Sequence, residues 1–221
     1  MPSRPYVLLS VAMSIDGHID DASPSRLRLS GPEDFDRVDA ERAAADAILV
    51  GAGTLRADNP GLLVKDAGRR AERVAAGRPE FPLKVTLTAT GNLDSRLDVW
   101  HQGDAKLVYT SAAGAERLGD RLAGLAEVVA LGSGSVDLGA VLDDLGARGV
   151  GRLLVEGGTA IHTAFLSRGL ADELHLAIAP IIVGDARAPR FLGPAAYPEA
   201  RLRLAEARPV GDVVLLRYVL T

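Results

Sequence analysis

Short runs of branched and aliphatic residues, each bounded by turn formers, recur at Tyr6 to Met13, Ala47 to Val50, Leu83 to Thr88, Lys106 to Thr110, Glu127 to Leu131 and Arg152 to Val155. Runs of this length predict buried strands. Between them lie segments with apolar residues three and four apart: Glu33 to Asp46, opening after Ser30-Gly31-Pro32, then Ala115 to Leu122 and Leu138 to Ala147. These predict helices, and their alternation with strands predicts parallel strands joined by crossover connections. After a short helix at Ile161 to Ser167 the pattern changes. Glu173 to Val183 reads as a strand pair or one strand broken at Pro180. Arg201 to Arg208 and Asp212 to Leu220, separated by Pro209-Val210-Gly211, read as an antiparallel hairpin at a sheet edge. The expected fold is α/β, a mostly parallel sheet flanked by helices with an antiparallel C-terminal hairpin. Gly68 to Pro79, rich in Arg, Ala and Gly, is expected to be a surface loop or a solvated helix. With 221 residues and no repeat or linker, one domain spanning 1–221 is expected.

Composition narrows the chemistry. The chain has no cysteine, which removes disulfides, thiolate zinc sites, iron–sulfur clusters and thiol nucleophiles. Its net charge of −4 has the wrong sign for nonspecific phosphate neutralisation, so nucleic acid is not an expected partner. Of the 25 cations only Lys65, Lys84 and Lys106 are lysine, and Arg suits forked recognition of phosphate or carboxylate. No apolar run reaches the roughly 18 to 20 residues that cross a bilayer, and the first apolar stretch runs straight into the turn Asp16-Gly17. The expectation is a cytoplasmic protein without a membrane partner.

Three segments carry candidate chemistry. In Leu153-Leu154-Val155-Glu156-Gly157-Gly158-Thr159-Ala160-Ile161 an apolar strand ends in an acid, two glycines and a helix start. Glycines there let a ligand approach the backbone, and helix N-terminal amides attract phosphate; the same pair also serves simply to let a helix pack closely. Glu156 either faces a ligand at the strand's carboxyl end or caps the helix. The second segment, Ile48-Leu49-Val50-Gly51-Ala52-Gly53-Thr54-Leu55-Arg56-Ala57-Asp58-Asn59-Pro60, is another strand ending in glycines, and Asp58-Asn59-Pro60 reads equally as a turn. Ligands of open α/β sheets bind outside the carboxyl ends of strands, so two such ends suggest one crevice. The third, Val11-Ala12-Met13-Ser14-Ile15-Asp16-Gly17-His18, is a strand entering a polar turn. His18, His101, His162 and His175 have no metal-ligand spacing, and no serine lies in a G-x-S-x-G elbow. Arg42, in an Ala-rich helix, reads by itself as a solvated helical arginine.

Taken in order, AMSIDG, EDFDRVDAERAAADAILVGAGTLRADNP and LLVEGGTAIHTAFLSRGLADELHLAIAPIIVG make the sequence resemble the riboflavin-biosynthesis reductase family of the dihydrofolate-reductase-like superfamily. The resemblance covers nearly the whole chain, most weakly between Lys65 and Gly149, and is to the stand-alone archaeal and fungal form. It implies one reductase domain that reduces the ribosyl group of a 5-amino-6-(5-phosphoribosylamino)pyrimidine to ribityl with NADPH. It places the cofactor on Ala12, Thr54, Asp58 and the run Gly157, Gly158, Thr159, Ala160, Ile161, His162, Thr163 and Ala164. It places substrate on Arg42, Leu62, Lys65 and Glu156, with Asp58 and Glu156 as the catalytic polar groups. A homodimer is likewise implied, with the apolar segment Leu174 to Val183 reading either as an interface or as a core strand. The cysteine-ligated zinc deaminase that precedes this domain in many bacteria is expected to be supplied by another protein.

The chain departs from the family pattern at several places. Asp58-Asn59 stands where two acids are usual, and Ser10 stands where bifunctional enzymes carry Lys, which the stand-alone forms also lack. Thr88, Ala89 and Asn92 replace an Asp-Ser pair and a following Arg near the adenosine end of the cofactor. Thr90, Arg96, Thr110 and Ser111 are alternative candidates for a 2′-phosphate. The alternative functions are reduction of another pteridine or pyrimidine, and cofactor binding without turnover.

Overall fold

The computed structural model describes residues 4–23, 26–199 and 202–220. In chain order its elements are β1 (Tyr6–Ser14), α1 (Pro32–Ala44), β2 (Ala47–Gly51), α2 (Ala52–Asp58), α3 (Ala67–Ala75), β3 (Leu83–Thr88) and α4 (Asp98–His101). There follow β4 (Lys106–Thr110), α5 (Ala112–Leu118) with a 3-10 turn at Gly119–Leu122, β5 (Glu127–Ala130), α6 (Leu138–Ala147), β6 (Arg152–Val155), α7 (Thr159–Ser167), β7 (Glu173–Ala179), β8 (Arg203–Val210) and β9 (Val213–Val219). They divide into two compact units, one comprising Met1–Pro5 with Asp39–Leu154, the other Tyr6–Val38 with Val155–Thr221.

The first unit has strand order β5-β4-β3-β2-β6. β2 pairs with β3, β3 with β4 and β4 with β5, all parallel, so every connection passes through helical chain. The inner strands are covered on both faces: Ile48, Leu49, Val85, Leu107 and Val108 are all buried, as are Val141 and Leu145 of α6, and the polar residues Lys84, Thr86 and Thr88 of β3 are buried with them. β5 is mostly exposed, as suits an edge. Asp46 fixes the start of β6, accepting from the amides of Gly151 and Arg152 at 2.9 Å each.

The second unit has strand order β1-β7-β9-β8. β1 and β7 are parallel, β7 and β9 antiparallel, and β8 and β9 form the expected antiparallel hairpin, with an irregularity between Leu204 and Glu206. The hairpin turn is tighter than the sequence suggests, since Pro209 and Val210 belong to β8. Proline is tolerated there because the strand is an edge. Position 201, the expected start of that strand, lies outside the described residues. The core joins Leu29, Ala177, Ala179, Val210, Val213 and Leu215, with Ala12, Leu27 and Ile181 packed against it. Leu174 to Ala179 is therefore a core strand, and it ends before Pro180 instead of continuing to Val183.

Other features have local causes. Gly68 to Pro79 is largely helical, one of its two readings, but it is anchored: buried Arg73 donates to the carbonyls of Ala43 and Ala45 at 2.7 Å each. α2 runs up to Asp58 at the start of the candidate turn Asp58-Asn59-Pro60, and α4 has no counterpart in the apolar pattern. Beyond Ala44 the first helix gives way to Ala45 and Asp46, whose amide donates to the Arg152 carbonyl at 2.9 Å.

Candidate functional site

In the first unit, Thr54 and Asp58 stand one turn apart on α2, on the half-exposed side of a helix held down by buried Leu55. The helix stops at Asn59, which adopts a left-handed conformation (φ +42°) and donates its amide to the Leu55 carbonyl. Asn59 Oδ1 accepts from the Asp98 amide at 2.8 Å. The departure from two acids at this position is thus structural: the side chain caps α4, and Asn tolerates the left-handed region well.

The next residues hold the three other candidates of this unit. Arg42 Nη1 donates to the Leu63 carbonyl at 3.1 Å, which brings the α1 arginine onto the segment containing Leu62 and Lys65. Arg42 is thus anchored to that segment through its guanidinium. Leu62 is buried with φ +48°, and Lys65 is exposed.

At the carboxyl end of β3, Thr90 and Asn92 line a cavity of about 430 Å³ together with Arg117 and Arg121. Of the other residues considered for a 2′-phosphate, Thr110 and Ser111 are fully buried, Ser111 capping α5 by accepting from the Gly114 amide at 3.0 Å. Arg96 is paired with Asp94 at 2.7 Å. The two arginines of the cavity were not legible in sequence, because they sit among other arginines in an ordinary helical pattern.

In the second unit, the turn after β1 is a built junction. Asp16 Oδ1 accepts from the Ser14 hydroxyl at 2.6 Å and the Val183 amide at 3.1 Å, and Oδ2 accepts from the Gly184 amide at 2.8 Å. The Ser14 hydroxyl first, then the two amides, hold this carboxyl well below the usual carboxylate range. Asp16 therefore fastens the loop after β7 to the end of the strand that carries Ala12.

Glu156 follows β6 and is half-buried, and the N-cap residue of α7 is Gly158, two positions further on. Gly157 is a packing requirement: a Cβ there would lie 2.4 Å from Ile161 Cβ. The hydroxyl of Thr159 donates to the Arg190 carbonyl, and that of Thr163 accepts from the Gly193 amide at 2.8 Å. His162 is completely buried against Phe191, with ring centroids 5.3 Å apart, and burial pushes its pKa down to about 4. Its side chain is thus a neutral core group, and its amide donates to the Gly158 carbonyl at 3.1 Å. Ala160 is exposed, and Ile161, Thr163 and Ala164 are half-exposed.

The donor set fits the diphosphate of a nicotinamide cofactor. The first amides of a helix lack intrahelical acceptors, and Gly158 brings no side chain to satisfy or cover them. Small residues at Gly158 and Ala160 leave the approach open. Among the described residues no group of His, Asp and Glu is arranged to hold a metal.

This architecture is a dihydrofolate-reductase-like α/β fold, mostly parallel with antiparallel C-terminal strands. The model of the RibD C-terminal domain matches residues 5–216, and the chain belongs to that family. Over 216 residues it is 35% identical to a protein of Archaeoglobus fulgidus named 2,5-diamino-6-ribosylamino-4(3H)-pyrimidinone 5′-phosphate reductase, covering 97% of this chain and 99% of that one. A pyrimidine reductase-like protein from Corynebacterium diphtheriae has a similar structure, with a TM-score of 0.78 and 28% identity over 98% of this chain and 92% of that one. RibD of Acinetobacter baumannii superposes with a TM-score of 0.81 at 24% identity; the match covers 99% of this chain but only 58% of the longer protein. The chain is an oxidoreductase of the riboflavin-biosynthesis type.

Proposed function

We propose that the protein reduces the ribosyl group of a 5-amino-6-(5-phosphoribosylamino)pyrimidine to ribityl, using NADPH, in riboflavin biosynthesis. The observation that carries this reading is the end-to-end match to the Archaeoglobus fulgidus reductase, which leaves neither chain with a large unmatched part. The match of one family model across both compact units supports a single reductase domain. The cofactor's part is to supply a hydride to C1′ of the sugar. The protein's part is to bind, orient and keep water away.

The reading assigns the cofactor diphosphate to the Gly157-Gly158 turn and the opening amides of α7, and assigns other parts of the cofactor to Ala12, Thr54, Asp58 and Thr159 to Ala164. A phosphate monoester on the substrate calls for cations, and Lys65 with Arg42 supplies them. Leu62, whose side chain is buried, is assigned to the substrate through its left-handed backbone. Glu156 and Asp58 are the polar groups assigned to the reacting end, where a carboxylate holds the iminium-like state, orients the ribose hydroxyls or supplies the proton of ring opening. The cavity with Arg117 and Arg121 supports NADPH over NADH, because two guanidinium groups suit a 2′-phosphate. Exposed Leu204 on β8 and Val214 on β9 support a homodimer, and we place the protein in the cytoplasm.

The test is oxidation of NADPH by the purified protein when the ribosylaminopyrimidine phosphate is supplied, followed by growth without riboflavin of a strain lacking the reductase. Turnover and rescue establish the function. Cofactor binding without oxidation, or turnover of a different pteridine only, overturns it.

A further inference from the structure

The segment from Asn59 to Asp66 has an unusual backbone. Both Asn59 and Leu62 have positive φ, and for leucine this is a conformation that persists only where the surroundings impose it. The residues that follow Leu62 are held by Asp39 of α1, 7% exposed. Its Oδ1 accepts from the Lys65 amide at 2.5 Å, while Oδ2 accepts from the Asp66 amide and from Arg69 Nη1, each at 3.1 Å. Arg42, three residues along the same helix, takes the Leu63 carbonyl, and Arg70 Nη1 donates to the carbonyls of Val64 and Lys65 at 3.2 and 2.6 Å. Every peptide from Leu63 to Asp66 is thereby gripped by a side chain from α1 or α3.

We propose that Asp39 is a positioning residue for the phosphorylated substrate, fixing the backbone between Leu62 and Lys65 so that the exposed Lys65 ammonium is held where the phosphate docks. The inference rests on the proposed function, which places substrate on Leu62 and Lys65. Asp39 acts through these residues and is not itself a substrate contact, since its carboxylate is turned to two amides and a guanidinium. A carboxylate near an anion site is tolerable because its charge is used within the protein. Burial alone would raise its pKa, but the Lys65 and Asp66 amides and Arg69 outweigh that and keep it ionised.

The experiment compares wild type, Asp39→Ala and Asp39→Asn in steady-state kinetics and in amide hydrogen exchange. The Ala variant is expected to raise the KM for the phosphoribosylaminopyrimidine about tenfold, with kcat and the KM for NADPH within about twofold of wild type. Exchange at the Lys65 and Asp66 amides should quicken by about tenfold as well. The Asn variant keeps one oxygen for the Lys65 amide and is expected to fall between; it carries the same measurements if the Ala variant does not fold. An unchanged substrate KM, unchanged exchange at both amides, or an equal decline in kcat and both KM values overturns the proposal. A wild-type protein inactive on this substrate instead overturns the proposed function, and with it the substrate half of the inference, while the exchange rates still decide the clamp.

Discussion

Gly157 and Ile161 are in such close contact that a methyl group on Gly157 would sit 2.4 Å from the Ile161 Cβ and 2.5 Å from its Cγ2. The obstacle is a Cβ next to the helix backbone, so no rotamer change relieves it. A Gly157→Ala substitution must push α7 away from the end of β6, at a cost of about 1–3 kcal/mol typical of overpacking. The same displacement moves the amides proposed to hold the cofactor diphosphate. Urea unfolding and NADPH titration of the variant should both weaken; wild-type values in both would show that the contact is slack.

Asp58 and Glu156 are assigned to the reacting end of the substrate. Asp58→Asn and Glu156→Gln keep shape while removing charge and basicity, so each is expected to lower kcat by about tenfold or more. Near-wild-type turnover in both variants would remove the two carboxylates from the mechanism. Thermal unfolding of each variant serves as the control for folding.

Cofactor preference gives a third expectation. Removing Arg117 or Arg121 takes away one charge-assisted contact to a 2′-phosphate, so the dissociation constant for NADPH should rise about tenfold while that for NADH stays within roughly twofold. Both arginines are exposed and salt screens them, which makes low ionic strength the discriminating condition. A parallel loss for the two cofactors would place the adenosine phosphate elsewhere.

Some elements were plain in the sequence because burial alone specifies them. β3, β4, α6 and β6 occupy the same residues that the apolar pattern marks, since each is fixed by side chains entering a core. α2 was not, because its seven residues begin beside glycines and end before Pro60, a pattern shared with a turn. Leu55, fully buried, is what holds it. The candidate residues could be named from three motifs, but the groups that support them could not. Asp39 reaches a backbone 26 positions away, and Asp16 one 167 positions away, and such side-chain to amide bonds leave no spacing for a sequence to reveal. The glycine pair was ambiguous for a different reason: close helix packing and phosphate binding require the same residue at the same place, and in Gly157 the packing requirement is visible.

Two buried groups predict where acid weakens the fold. His162 has a folded-state pKa of about 4, below its ordinary 6.5, because burial disfavours the imidazolium. The unfolded chain therefore binds this proton first. Stability is complete above about pH 6.5 and declines as pH falls toward about 4, by on the order of 3 kcal/mol. Glu173 acts lower. Burial would raise its pKa, but His175, Arg217 and Tyr6 together draw it down to about 2, so its contribution is full above about 4.5 and is lost as pH drops toward 2. Urea unfolding from pH 7 down to 2 separates the two. In His162→Gln the slope between pH 7 and 4 should flatten relative to wild type, whatever the variant's absolute stability, whereas Glu173→Gln should leave that upper slope in place and flatten only the decline between about 4.5 and 2. A His162→Gln protein that retains the wild-type slope would mean that this imidazole takes up its proton in the folded state, with water reaching it beside Phe191.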